Sequence, residues 1–434
     1  MKKERLVERR VPFAQVAVAL LAQRRKPVAS ERRGGLGPTC SVLFAGVHFA
    51  ALIAVALCVP TGPCFGGSAM GPDGAAVFEV QDLFQSVRIP KIVVAANATV
   101  LAFAKSCRLL RRSTDGGKTW SEAREVGPKA SGNAIVDDNT GHVLVVCPRR
   151  GHLWRSRDHG KTWQREDIVV KSNAVGHGSP DSGVPADTGA SESGITLRHG
   201  RHKGRLLMPA RCQPPKGNND QEWWPYNYNC AIYSDDGGKT WQTSGPVQSG
   251  TGEGTLAELS NGRIYYNSRC HMAVDHRRRI AWSHDGGHMW TDWEVSEHLY
   301  EVGQPFYFKY GTKPSYGCNA GLVRLPLEPT GGKDVLLFST PDSPGGSRVK
   351  MTVWASFDGA KTWPLKRLVY EGPSAYSSLA ADRNACIYLL FERGKKKLYE
   401  SIAVARFDLA WLAGGQDWRK FLKHERDSTR RRSE

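Results

Sequence analysis

The sequence predicts an all-β chain built as a β-propeller. Three observations point there. Glycine (46) and tryptophan (13) are abundant in a 434-residue chain without helical periodicity, which suggests many turns and many short strands. Apolar or alternating runs such as Ile92–Phe103, His142–Cys147 and Arg263–Asn267 read as strands. A short pattern, Ser-x-Asp-x-Gly-x-Thr-Trp, recurs five times. One hairpin per repeat of about forty or more residues is the signature of a propeller.

The five copies are Ser113–Trp120, Ser156–Trp163, Ser234–Trp241, and the degenerate Ser283–Trp290 and Ser356–Trp363. Each reads as a hairpin turn. The Asp carboxylate accepts hydrogen bonds from the turn's own amides, the Gly takes a positive φ, and the Trp packs back on the strand. Asp115, Asp158, Asp236, Asp285 and Asp358 are therefore structural and not catalytic candidates. Their spacing varies from 43 to 78 residues, so the longer gaps carry insertions.

Composition fits a globular protein. With 40 % hydrophobic and 24 % charged residues, the chain is neither disordered nor a polytopic membrane protein. The formal charge is +18; residues 1–40 contribute +7 and residues 419–434 contribute +4. The mildly positive middle suits an acidic small substrate and is no nucleic-acid footprint. Val42 to Val59 is apolar apart from His48, follows a basic stretch, and precedes the small residues Gly66–Ala69. Residues 1–70 thus read as a signal peptide, or a signal anchor at the membrane, with a long basic leading region. An exported protein is expected, with the propeller in 71–418 and a basic, disordered tail in 419–434. Seven cysteines follow the leader and none forms a CxxC pair, which argues against zinc. An oxidising compartment would allow up to three disulfides, and no pairing is assigned.

The repeat resembles the Asp box of sialidases, and further motifs extend the resemblance over about residues 84–412. Arg88 stands in Val-Arg-Ile-Pro. Arg269 closes Glu258-Leu-Ser-Asn-Gly-Arg-Ile-Tyr-Tyr-Asn-Ser-Arg. Arg348 stands in Ser-Arg-Val-Lys-Met-Thr-Val, directly before the fifth box. These resemble the family's three arginines, whose forked donors suit the carboxylate of sialic acid. Tyr376, in Gly-Pro-Ser-Ala-Tyr-Ser-Ser-Leu, resembles its nucleophile. Glu253, in Gly-Thr-Gly-Glu-Gly-Thr, resembles the glutamate that takes the phenolic proton. Glu392, in Leu-Leu-Phe-Glu, resembles the one that holds the first arginine. A tyrosine suits this chemistry because the substrate's own carboxylate would repel an anionic attacker. The resemblance implies a six-bladed sialidase-like propeller and an exo-α-sialidase that acts with retention through a tyrosyl intermediate. The partner would be a sialylated glycan or another acidic sugar.

One part of the family pattern is missing. Sialidases place an acidic Asp between the Arg-Ile-Pro strand and the first box, but Ile89–Thr114 contains neither Asp nor Glu. Three readings stay open. An acid comes from the long loop 175–194, which carries Asp181, Asp187 and Glu192; or only good leaving groups are cleaved, with water as the proton source; or the protein is a sialic-acid or acidic-glycan binder without catalysis. A hydrolase for another acidic sugar is a further alternative. The aromatic segment Glu222-Trp-Trp-Pro-Tyr-Asn-Tyr reads equally as pocket wall or core. His199, His202, His271 and His276 lack metal spacing, His199–Gly204 reads as a turn, and no cofactor is implied.

Overall fold

The computed structural model describes residues 76–171, 189–212, 228–272, 275–303 and 317–422. The leader, Asp181, Asp187, residues 222–227 and most of the tail lie outside them. The described chain is almost wholly β. Its single α-helix is the four-residue Leu409–Leu412, capped by the Asp408 carboxylate, which accepts from the Trp411 amide at 2.7 Å. No helix among the described residues is long and apolar enough to cross a membrane.

Five sheets form in chain order. Lys91–Val94, Val100–Ala104, Leu109–Ser113 and Arg124–Glu125 make the first. Asn133–Asp137, His142–Cys147, His152–Ser156 and Gln164–Asp167 make the second. The third centres on Leu206–Cys212, Tyr228–Ser234 and Thr240–Thr243. The fourth contains Thr251–Glu258, Ile264–Cys270, Arg277–Ser283 and Thr291–Tyr300. The last sheet has seven strands, from Gly321–Arg324 through the long Leu365–Ala381 to Ser401–Phe407 and, at its edge, Phe78–Gln85. Among the described residues, therefore, five sheets form and not six separate ones. Leu365–Ala381 runs unbroken, pairing with Val349–Ser356 through its first half and with Ile387–Arg393 through its second. Within the first sheet the run Ile92–Phe103 is two strands joined by a turn, not one.

The core lies between sheets. Phe103, Val145 and Trp154 pack the first sheet on the second; Leu144, Met208 and Trp241 pack the second on the third. Leu207, Tyr266 and Trp290 join the third to the fourth, and Tyr265, Trp282, Phe338 and Trp354 join the fourth to the last. Leu337, Met351, Leu389 and Phe407 pack the two halves of the seven-stranded sheet on each other. Phe84, Leu390 and Val404 close the series against Ile92 and Ala102 of the first sheet. Propeller-like packing of this kind is legible in the boxes, because each box Trp sits in one of these clusters.

Box geometry follows from hydrogen-bond accounting. In the first copy Asp115 accepts from the Lys118 and Thr119 amides at 3.1 and 3.0 Å and from the Thr119 hydroxyl at 2.6 Å, while Ser113 Oγ accepts from the Gly117 amide at 2.8 Å. The same carboxylate-to-amide bonds recur at Asp158, Asp236, Asp285 and Asp358. Two successive residues take positive φ in every copy. Where glycine is lacking, His159 (58°) and Ala360 (71°) adopt it anyway, so the hydrogen-bonded turn dictates the conformation.

Candidate active site

The structure brings all six sequence-derived residues to one end of the strands. Two β-bulges aim the central pair. Thr251 pairs with Cys270 and Gly254 with Ser268, so Gly252 and Glu253 together oppose Arg269. Likewise Ser374 pairs with Arg393 and Ser377 with Phe391, so Ala375 and Tyr376 oppose Glu392. A bulge re-aims a side chain that a regular pleat would send elsewhere. Here Tyr376 Oη donates to Glu253 Oε1 at 2.8 Å. Arg269 Nη1 donates to Tyr376 Oη at 3.1 Å and forms an ion pair with the other Glu253 oxygen.

Glu392 anchors the opposite side. Its fully buried carboxylate accepts from Arg88 Nε at 3.1 Å, from the Ile89 amide at 3.0 Å and from the Tyr376 amide at 3.1 Å. Ile89 has φ of 65°, a costly conformation for a β-branched residue. The bond from its amide to Glu392 holds that strained turn, and with it Arg88, in place. Arg88 is 40 % exposed, so its charge is open to a ligand. Its guanidinium carbon lies 5.1 Å from the centre of the Tyr376 ring and 3.8 Å from that of Tyr399. Arg348 is 5.5 Å from the Tyr376 ring and donates to Tyr399 Oη at 3.1 Å and to the Gly317 carbonyl at 2.8 Å.

The electrostatics of the pair follow from burial and these cations. Burial raises the Tyr376 pKa first, and the Glu253 charge adds to it; Arg269 and Arg348 offset part, leaving the phenol pushed up to about 12. Burial would also raise Glu253, but Arg269, Arg211 and the phenolic hydrogen bond outweigh it and hold the carboxyl far below its ordinary range. A neutral phenol thus faces an ionised carboxylate. His271 packs beside Gly252 and is kept neutral, first by burial and then by Arg269.

Sequence reasoning missed three participants. Tyr399 is not in a motif; Arg211 borders an insertion; and the buried Arg278–Glu301 pair is 3.0 Å apart, with Glu301 also accepting from the Cys270 amide at 2.9 Å just past Arg269. An Arg and a Glu 23 residues apart carry no local signal.

The expected acid is absent from its usual place for a visible reason. Val100–Ala104 and Leu109–Ser113 are joined by a short turn in which Lys105, Ser106 and Cys107 all take positive φ, leaving no loop to reach the site. Of the alternatives, Glu192 is corrected by the structure. It is buried and accepts from Lys91 Nζ at 2.9 Å, from Asn319 Nδ2 at 3.1 Å and from Ser378 Oγ, so it is locked in an ion pair and not presented as an acid. Tyr228, the one described residue of the aromatic segment, belongs to the core. Among the described residues no His, Cys, Asp or Glu cluster is arranged to hold a metal, and all seven cysteines are thiols.

Comparison with known proteins agrees with this architecture. The profile of the BNR repeat-like domain matches residues 147–389. A sialidase of Micromonospora viridifaciens is 30 % identical over 399 residues, covering 80 % of this chain and 56 % of that protein. A sialidase of Bacteroides fragilis is 28 % identical over 362 residues, covering 74 % and 61 %. The chain thus spans less than two thirds of the length of either relative. In fold, it is similar to the Hadza microbial sialidase Hz136 (TM-score 0.56, 24 % identity, 75 % of this chain and 66 % of that one). It is also similar to a Trypanosoma rangeli sialidase in complex with 2,3-difluorosialic acid as a covalent intermediate (TM-score 0.53, 20 % identity, 78 % and 56 %). With more than half its length matched by that profile, the chain belongs to the BNR repeat-like family, among the bacterial sialidase-type proteins.

Proposed function

We propose that the chain is an exo-α-sialidase that removes terminal sialic acid from glycans with retention. The observation that carries this is the Tyr376–Glu253 hydrogen bond of 2.8 Å, set among Arg269, Arg88 and Arg348. Three guanidiniums grip the substrate carboxylate. Tyr376 Oη then bonds to the anomeric carbon as the glycosidic C–O bond breaks, and its proton passes to Glu253 Oε1. Ionising a phenol of pKa about 12 beforehand at pH 7 would cost roughly 7 kcal/mol, so proton transfer accompanies attack. In the second half, water attacks the same carbon and gives its proton to the carboxylate that protonated the leaving group, the tyrosyl C–O bond breaks, and Glu253 returns its proton to Tyr376. The two displacements give net retention.

The scaffold we infer is a six-bladed propeller. In support, five clusters lie between sheets and a sixth lies within the last sheet, whose long strand Leu365–Ala381 pairs with a different partner in each half. For the leaving-group proton we propose Asp181 or Asp187. Export of the protein through residues 1–70 goes with this reading, since sialylated glycans lie mainly outside cells.

Release of sialic acid tests the proposal, with an activated aryl sialoside and sialyllactose compared. Both are expected to turn over, and Tyr376→Phe should lose at least roughly 10³-fold on each. Asp181→Asn or Asp187→Asn should slow sialyllactose by about 10²- to 10⁴-fold and spare the aryl substrate. Release from the aryl substrate alone means that no general acid exists. Release from neither, with sialic acid still bound, refutes the hydrolase and leaves a binding protein.

A further inference from the structure

A cavity of about 420 Å³ lies among six chain segments, at the opposite end of their strands from Tyr376. Glu253 stands near the start of Thr251–Glu258, whereas Leu256, Ala257 and Glu258 at its end line the cavity. Five residues of extended strand separate Glu253 from Glu258 by about 17 Å. The order repeats in Leu365–Ala381, where Tyr376 precedes the lining residues Leu379–Ala381. The Lys91–Glu192 ion pair, tied to Ser378, lies between these levels along the strands.

The polar groups that face this cavity are not equally satisfied. Its carboxylates are already engaged. Glu258 accepts from the Arg198 and His199 amides at 2.7 and 3.1 Å, and Asp138 pairs with Arg198 Nε at 2.7 Å. Asp382 accepts from the Asn384 and Cys386 amides and the Tyr388 hydroxyl, each at 2.9–3.0 Å. Arg324 is different. Its side chain is only 9 % exposed, and its ion pair with Asp334 is long, at 3.6 Å, beyond hydrogen-bond reach. Both Asp334 oxygens are taken by Ser260, through its amide at 2.9 Å and its hydroxyl at 2.7 Å. The other neighbour of Arg324 is His199 Nε2 at 3.3 Å, and Nη1 has no hydrogen-bond partner among the described residues. Burial weakens the hold of this guanidinium on its proton; Asp334 offsets part of that, Arg198 adds repulsion and Glu258 opposes it. A buried guanidinium nitrogen without a hydrogen bond is costly, and a ligand carboxylate would supply the missing acceptor.

We propose that this far-end cavity is a second ligand site, which takes a small organic carboxylate of sugar-acid size on Arg324. One forked guanidinium matches one carboxylate, and the single buried cation does not suit a dianion. Ile92, Leu256, Leu322 and Leu379 supply apolar wall for the carbon face of a ring, and the volume falls in the range of small-molecule sites. The ligand is either sialic acid released at the catalytic end or a different sugar acid.

Calorimetric titration of the full chain with N-acetylneuraminate and with glucuronate tests this. The expected result is saturable binding of at least one acid that persists in Arg348→Lys, whose change lies in the proposed catalytic pocket. Arg324→Gln should weaken that binding at least about tenfold. Arg324→Lys keeps the charge, so it folds even where the glutamine variant fails, and should weaken it as well by removing the fork. Binding of N-acetylneuraminate alone assigns the site to that sugar; binding of glucuronate too assigns it to sugar acids at large. Absence of saturable binding by either acid, or binding unchanged by both Arg324 variants, overturns the proposal. Loss of hydrolysis in Tyr376→Phe is a separate result, so the two readings stand or fall independently.

Discussion

Tyr376 and Glu253 hold their charge states against pH in opposite ways, and that gives the account its sharpest residue-level consequence. Glu253 has a folded-state pKa below its unfolded value. Its ionised form therefore contributes stability fully present above the ordinary carboxylate range, and lost only as pH falls through the depressed value. Tyr376 stays neutral until pH approaches about 12. Neither group titrates between about pH 5 and 8, so the pH–rate profile for an activated aryl sialoside should show no ionisation of the pair there. A Glu253 ionisation near neutrality would contradict the assigned electrostatics. Glu392→Gln should act differently. Removing its charge loosens Arg88, Ile89 and the Tyr376 amide together, so KM should rise and kcat fall; a change in KM alone would mean that Glu392 serves only Arg88. The clustering of the six residues was legible because each sits in a short stretch with recognisable neighbours. Tyr399 and Arg211 were not, since a lone ring or a lone cation has no local mark.

At the level of elements, the two bulges turn regular sheet into the candidate active site. Gly252 is needed there: a Cβ at that position would lie 2.4 Å from the His271 ring. Gly252→Ala should therefore displace Glu253 and lower kcat at least about tenfold, with little change in substrate binding. An unchanged kcat would show that the bulge has slack. The boxes act on stability instead. Trp241 is fully buried, so Trp241→Ala should cost about 3–5 kcal/mol in denaturant unfolding. The boxes were legible because their hydrogen bonds are local, all within five residues. The bulges were not, because a one-residue offset between strands depends on the partner strand and leaves no trace in either alone.

For the whole molecule, distant parts of the chain must meet before any site exists. Phe78–Gln85 pairs with Ser401–Phe407, and this closure places Arg88 against Glu392, 304 residues away in sequence. Disrupting the edge, for example with Val80→Pro, should lower the melting temperature and hydrolysis together. Loss of one without the other would argue that closure and site are uncoupled. The fold class was legible from five repeats, yet the number of sheets was not, because Leu365–Ala381 pairs on both sides and joins two sets of strands into one sheet. The missing acid was legible as an absence and explained only by the tight turn at Lys105–Cys107. The most direct test of the central claim is covalent trapping. The full chain would be treated with 2,3-difluorosialic acid, and the adduct mapped by intact and peptide mass spectrometry. The expected result is one added 3-fluorosialyl group, fluoride having left from C2, on the peptide that carries Tyr376, absent in Tyr376→Phe. An unmodified chain, or an adduct on any other residue, would contradict it.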